Sequence, residues 1–538
     1  MPAAKQQKSR IENFLYTGKD WDFDTLKRSL DAIEEIAVEE MGLDVYPNQI
    51  EVITAEQMLD AYSTVGLPLM YKHWSFGKSF VRNESMYRKG DTGLAYEIVI
   101  NANPCISYIM EENSITMQVM VMAHAAFGHN HFFKNNHLFQ QWTDASAILD
   151  YMQYARDYIA QCEERHGLDA VEAILDAAHA IRENGVDRYT RIPTKSEAEL
   201  KSRDARRLDH ERDNYNDLWR TLPPLDDSET PEKEEQQRKA ALATRLGLPE
   251  SNLLYMLEKQ SPVLDGWQRE ILRIVRTTAQ YFYPQKQTKV MNEGCACFCH
   301  YEIMNRLYDK GLIGDGAMLE FIDYHSRVIA QPSFDSRGYG GLNPYALGFA
   351  MMQDIKRICE EPTDEDREWF PDISGCNKTM HVLKDAWRNY RDESFILQFL
   401  SPHLIRKFRL FQVHDDSNEE TLLVNAIHNA QGYRSIRRAL SKSYTVTAME
   451  LDIQVVGAAM DDDRTLTLKH MMHDQIPAKS SEARRVLEQV RVLWGFDVVL
   501  LTEDAATGEI LDGLKCTNEG VAKINTEEES EAAELCLV

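Results

Sequence analysis

The sequence predicts an α+β protein: a mainly helical N-terminal region with one short sheet, then a small C-terminal α+β domain of order ββαββαβ. Three observations carry that expectation. Up to Phe399, apolar residues mostly recur every three or four positions, the spacing of a buried helix face. One β-branched and aromatic run, Leu94 to Asn101, interrupts them and reads as a strand. From about residue 405 the apolar period shortens towards two, the alternation of half-buried strands.

Composition narrows the function classes. A chain of 538 residues is too long for one ordinary core. Its formal charge of -26 argues against general nucleic-acid binding, which needs clustered cations, and against an anionic membrane surface. No stretch approaches the 18 or more apolar residues of a membrane span. The polar start, Met1 to Arg10, lacks the apolar core of a secretory signal. The expectation is a cytoplasmic protein whose nine cysteines are reduced thiols.

Residues 1–18 read as a flexible lead-in, and 19–404 as the helical domain. Asp22-Phe23-Asp24 caps an amphipathic helix with Leu26, Leu30, Ile33 and Ile36 on one face. Ile50 to Ile53 reads as a short strand or as the approach to a helix over 55–65. After the strand at 94–101, Asn103-Pro104 breaks the chain, and the central helix starts near Asn113-Ser114. Two helices follow, Ala145 to Glu164 and Asp169 to Asn184, and then a charged one over 193–212. A proline-rich, charged loop near 223–240 buries almost nothing. Further helices run over 250–282, 291–310 and 345–360. The C-terminal domain spans 405–510, with strands at 408–413, 422–427, 452–456, 465–469 and 496–501. Residues 511–538 read as an acidic tail.

The chemistry concentrates in two stretches. Thr116 to Asn136 is an apolar helix running into His124, His129 and His131, then Lys134-Asn135-Asn136. Met291 to Ala296, with His300, is its expected partner. A zinc-peptidase helix carries His-Glu-x-x-His, two imidazoles one turn apart and a general-base carboxylate. In gluzincin aminopeptidases a later helix adds a ligand from Asn-Glu-Gly-(Phe or Trp)-Ala. Asn292-Glu293-Gly294-Cys295-Ala296 is similar to that pattern, and the strand before the helix resembles the edge strand of those zincins. Two departures stand out. His124 and His129 are five apart, about 140° on a regular helix, so they share a metal only if the helix bulges near Gly128. Residue 125 is alanine, so the peptidase base is missing. The expected ligands of a divalent metal, zinc first, are His124, His129, Glu293 and His300. Glu172 with His179, and His325, form a second tier that completes the cluster or orients it. Cys295, Cys297 and Cys299 read as small packed residues.

Taken together, these stretches resemble the SpoVR family, the stage V sporulation protein R group, and especially its proteobacterial YcgB-like branch. The resemblance rests on Trp74-Ser75-Phe76-Gly77-Lys78, Tyr96 to Pro104, and Ala123-His124 with Gly128-His129-Asn130 and Phe132 to Asn136. It also rests on Asp176 to Ala180, Gly185 to Tyr189, Asn216 to Arg220, Lys289 to Gly294 with His300, and Asn343 to Ala350. The family usually has Trp where this chain has Cys295, and His131 is not a fixed feature of its pattern. The resemblance implies a helical N-terminal region with a small C-terminal domain. It implies a sporulation or stress-response module, with a PrkA-type serine kinase and a YeaH-like protein as partners. Two functions stay open. One is a zincin-like metal-dependent hydrolase acting on a peptide or amide, its base supplied by Glu97 or His300. The other is a non-catalytic regulatory or scaffold protein with a degenerate zincin-like fold.

Overall fold

The computed structural model describes residues 14–82, 97–190, 246–414, 420–473 and 480–524, apart from positions near 65–69, 77–80, 335–338, 422 and 461. It also describes residues 202, 206 and 210. Apart from those three positions, the expected charged helix over 193–212, the loop near 223–240 and the tail at Thr526–Glu534 lie outside the described residues. The chain divides into two compact units, Met1–Glu172 with Gln280–Met449, and Ala173–Ala279 with Glu450–Val538.

In the first unit, α1 (Phe23–Glu34) starts where the Asp22 carboxylate accepts from the Thr25 amide at 2.7 Å, satisfying an orphan donor of the first turn. Strand β1 (Asn48–Ile53) leads into α2 (Ala55–Ser63) through a capping box on Thr54 and Gln57. Strands β2 (Glu97–Ile100) and β3 (Cys105–Met110) complete a sheet of order β1-β3-β2. β1 runs parallel to β3, and β2 antiparallel to it at the edge. Helix α3 (Ile115–Met122) passes through a π-helical turn, Ala123–His129, into α4 (Asn130–Asn135) and then α5 (His137–Trp142). Next come α6 (Ile148–His166), α7 (Lys289–Asp309), α8 (Asp315–Val328), α9 (Pro344–Glu360), α10 (Asp364–Trp369), α11 (Thr379–Asn389), α12 (Asp392–Phe399) and α13 (Pro402–Lys407). A separate hairpin of β4 (Gln412–His414) and β5 (Leu423–Ala426) precedes α14 (Ala430–Ser443).

Helix α7 is the axis of this unit. It buries Val290, Met291, Phe298, Ile303, Met304 and Leu307, each worth roughly 1.5–3 kcal/mol against exposure. Two neighbours approach its backbone. A Cβ on Gly128 would stand 2.5 Å from Ala296 Cα, and one on Gly348 of α9 would stand 2.1 Å from the Val290 carbonyl. The first turn of α7 is capped from a distance, since the Asp392 carboxylate accepts from the Val290 and Met291 amides at 2.8 and 2.9 Å. The polar run at the end of the central helix also fastens the fold. Asn130 exchanges hydrogen bonds with the Tyr46 backbone, and the Asn136 amide donates to the Trp387 and Tyr390 carbonyls.

At the far end of α9 the Asp366 carboxylate accepts from both Arg357 Nη atoms, at 2.5 and 2.9 Å, and from Thr363. Burial alone would raise its pKa, but these donors outweigh burial and hold it at about 2. We expect Asp366→Asn to cost about 2 kcal/mol at neutral pH. Because the folded value lies below the unfolded one, this contribution is present above about pH 4 and fades as pH falls towards 2. Denaturant midpoints of wild type and variant across that window check it: they converge if the ion pair carries the effect.

In the second unit, β6 (Asp452–Ala458), β7 (Leu466–Met472), β8 (Val498–Asp504), β9 (Ile510–Thr517) and β10 (Gly520–Lys523) form one sheet of order β10-β9-β8-β7-β6. β7 and β8 are parallel, joined across helix Ser480–Trp494; the other pairs are antiparallel. Among the described residues of this unit, no helix is long and apolar enough to cross a membrane, and the same holds for the first unit.

The α+β expectation is met, with corrections to its detail. The hairpin β4–β5 forms but belongs to the first unit, so the ββαββαβ order does not describe one sheet. The β9–β10 hairpin occupies residues the sequence assigns to the domain's end and the tail. Asp512, Gly513 and Lys515 interrupt its apolar pattern, and its turn relies on Gly520 at φ 115°. Strand β3 has no counterpart in the sequence reading because five of its six residues are buried, which erases the alternation.

Candidate metal centre

The π-helical turn answers the spacing problem of His124 and His129. Hydrogen bonding from i to i+5 brings residues five apart onto one face, and the two rings stand 4.7 Å apart, edge to face. Gly128 lies inside this turn, where its missing side chain admits Ala296 of α7. On α7, Asn292, Ala296 and His300 fall at spacings of four, as do Glu293 and Cys297, so all five line one face. Edge strand β2 contributes Glu97.

Around these elements the donors converge. Glu97 Oε1 lies 3.2 Å from His124 Nε2. Glu293 Oε2 lies 3.5 Å from His129 Nε2 and 3.9 Å from His124 Nε2. The Tyr345 hydroxyl bonds Glu293, yet Oε2 itself is buried without a hydrogen-bond partner. His129 Nδ1 lies 2.9 Å from Asn292 Oδ1. That amide oxygen can only accept, so Nδ1 carries the proton and Nε2 keeps its lone pair towards Glu293. His124 Nδ1 lies 2.9 Å from His300 Nδ1, and His300 Nε2 lies 2.7 Å from His325 Nδ1. A chain of imidazoles thus runs inward from the carboxylates.

Electrostatics sets the protonation. Burial, reinforced by Glu293, pushes the Glu97 carboxyl up to about 8, and burial raises Glu293 as well. Burial and the neighbouring imidazoles hold His124 well below its ordinary value, and burial lowers His300 likewise and His325 to about 4. These three imidazoles are therefore neutral at pH 7, with lone pairs available to a cation.

Among the described residues, donor atoms within 4.8 Å of one another form two sets: Glu97, His124 and His129, and His124, Cys297 and His300. The first is the better donor set. In the second, His124 and His300 face each other through Nδ1 atoms already at hydrogen-bond distance, and burial keeps the Cys297 thiol far from its thiolate. The test of fit is the Glu293 oxygen. A buried carboxylate oxygen with no donor is costly, and a divalent cation between Glu97, Glu293 and the two Nε2 atoms would satisfy it with hard and borderline ligands.

The chain matches the model of SpoVR like proteins over residues 20–449 and that of the SpoVR-like C-terminal domain over 451–505. It belongs to the SpoVR family. A relative from Escherichia coli (strain K12), named "Uncharacterized protein YcgB", is 53% identical over 487 residues, covering 90% of this chain and 93% of that protein. No solved structure matches. Within this SpoVR chain, the structure brings His124, His129, Glu293 and His300 together, with His325 behind His300. Glu172 and His179 lie half-buried on helix Leu168–Ala180 and occur in neither donor set. His131 turns away to the Asp44 backbone. Sequence reasoning overlooked Asn292 as the partner of His129, Cys297 as a wall of the site, and Tyr345. The four-residue spacings on α7 could have found the first two. Tyr345 reaches Glu293 from α9 and left no local signal.

Proposed function

We propose that this protein is a cytoplasmic, zincin-like metal-dependent hydrolase acting on a peptide or amide. The observation that carries the reading is the unpartnered Glu293 oxygen facing His124 and His129. These three residues are the proposed ligands, zinc the first expected ion, and His300 and His325 hold the tautomer of His124. An ion bound there would lower the pKa of a coordinated water and polarise a carbonyl. Glu97 stands where the missing carboxylate at 125 is needed. Its carboxyl, 3.2 Å from His124 Nε2, is the group placed to take up and return a proton.

Metal content of the purified, untagged protein tests this. Wild type is expected to hold about one divalent ion per chain, and both Glu293→Ala and His124→Ala to hold almost none, with circular dichroism unchanged. Wild type that stays metal-free after reconstitution would sink the hydrolase. Ala125, buried and without a functional group, supports a second reading: a non-catalytic scaffold of a sporulation or stress module, working with a PrkA-type serine kinase and a YeaH-like protein.

A further inference from the structure

Away from the metal centre, but within the same unit, Glu368, Trp369, Leu397, Arg434, Arg437 and Arg438 line a cavity of about 320 Å³. Helix α14 sets Arg434, Arg437 and Arg438 at spacings of three and four, so three like charges share one face, an arrangement unfavourable in itself. Trp369 flanks them: the Arg437 and Arg434 guanidiniums stand 4.8 and 5.0 Å from its ring centre. Arg437 is fixed from behind by its Nε, which donates to the Leu400 carbonyl at 2.8 Å. Its Nη2 is buried with no hydrogen-bond partner. Three guanidiniums against the single carboxylate of Glu368 leave the lining a formal charge of +2. Burial and the charge of Arg434 lower the Arg437 pKa to about 10, which marks a cation short of counter-charge.

We infer that this cavity binds a phosphate dianion carried by a small molecule, either as the free ion or as a phosphomonoester. The planar guanidinium fork matches phosphate oxygens in pairs. A dianion cancels the lining charge and supplies the acceptor that Nη2 lacks. Stacking on Trp369 holds the forks in place before the ligand arrives, which lowers the ordering cost of binding. Leu397, 45% exposed, offers an apolar rim for the organic part of an ester.

Calorimetric titration of the full chain tests the site, with ribose 5-phosphate, inorganic phosphate and ribose as ligands at matched ionic strength. One equivalent of ribose 5-phosphate should bind, and ribose should not. Arg437→Gln and Arg438→Gln should each weaken binding at least tenfold, the expected loss of a charge-assisted contact. Arg438 is exposed, so its variant reports on binding even if Arg437→Gln perturbs folding. Equal affinity for the ester and inorganic phosphate would identify the free ion as the ligand, and tighter ester binding the ester; both support the site. No saturation below about 10 mM, or the same affinity in wild type and Arg438→Gln, would overturn it.

Discussion

Gly348→Ala is expected to destabilise the helical unit by about 3 kcal/mol or more, from a single methyl group. That methyl would stand 2.1 Å from the Val290 carbonyl and 2.9 Å from Gly294 Cα. Both are backbone atoms, so no side chain can rotate aside. Relief requires α9 to move away from α7, which opens the packing of Met291, Cys295, Leu347 and Met351 in the main core. Gly316→Ala is the matching control, because nothing lies within 4 Å of the added methyl and alanine is the better helix former. Its effect should stay within about 1 kcal/mol of zero. Thermal and denaturant unfolding followed by circular dichroism measure both. A Gly348→Ala protein that melts with wild type would show that the two helices are not in backbone contact.

Asn292→Ala should weaken metal binding 10- to 100-fold, about the loss seen when the partner of a ligating histidine is removed. The side chain touches no proposed ion. It accepts the proton of His129 Nδ1 at 2.9 Å, and without it the ring can rotate or carry its proton on the wrong nitrogen. Asn292→Asp keeps an acceptor at that place and should retain most of the affinity. Competition against a chelator of known affinity, at fixed pH, gives the ratios. Alanine and wild type binding alike would mean that something else sets the orientation of His129.

Much of this protein was legible before folding. The helical periodicity, the switch of period after residue 405, and the pairing of the central helix with Met291 to His300 all follow from spacing and residue type. What escaped did so for physical reasons. A buried strand such as β3 has apolar residues on both faces, so the alternation that marks strands is absent. The β9–β10 hairpin depends on a turn more than on a pattern. Tyr345 acts across 52 positions of chain, from Glu293, a distance that no local motif spans. The polar run Lys134-Asn135-Asn136 looked chemical, yet its bonds go to the backbone of Asp44, Val45, Trp387 and Tyr390. Polar side chains that close helix ends and polar side chains that do chemistry are the same residue types, and only their partners separate them.

The π-helical turn at Ala123–His129 makes the geometry of the cluster a matter of winding rather than of ligands alone. It accommodates one residue more than a regular turn. Deleting Ala125 or Ala126 would let the helix relax to ordinary winding and would set the two imidazoles four apart, still on one face. It would also turn everything beyond them by about 100°, carrying Gly128 off Ala296 and Asn130 off Tyr46. The spare residue is thus a register mark. It lets one helix present two imidazoles to α7 while its far end meets the strand side of the fold, and the two demands can be met together only with that insertion in place.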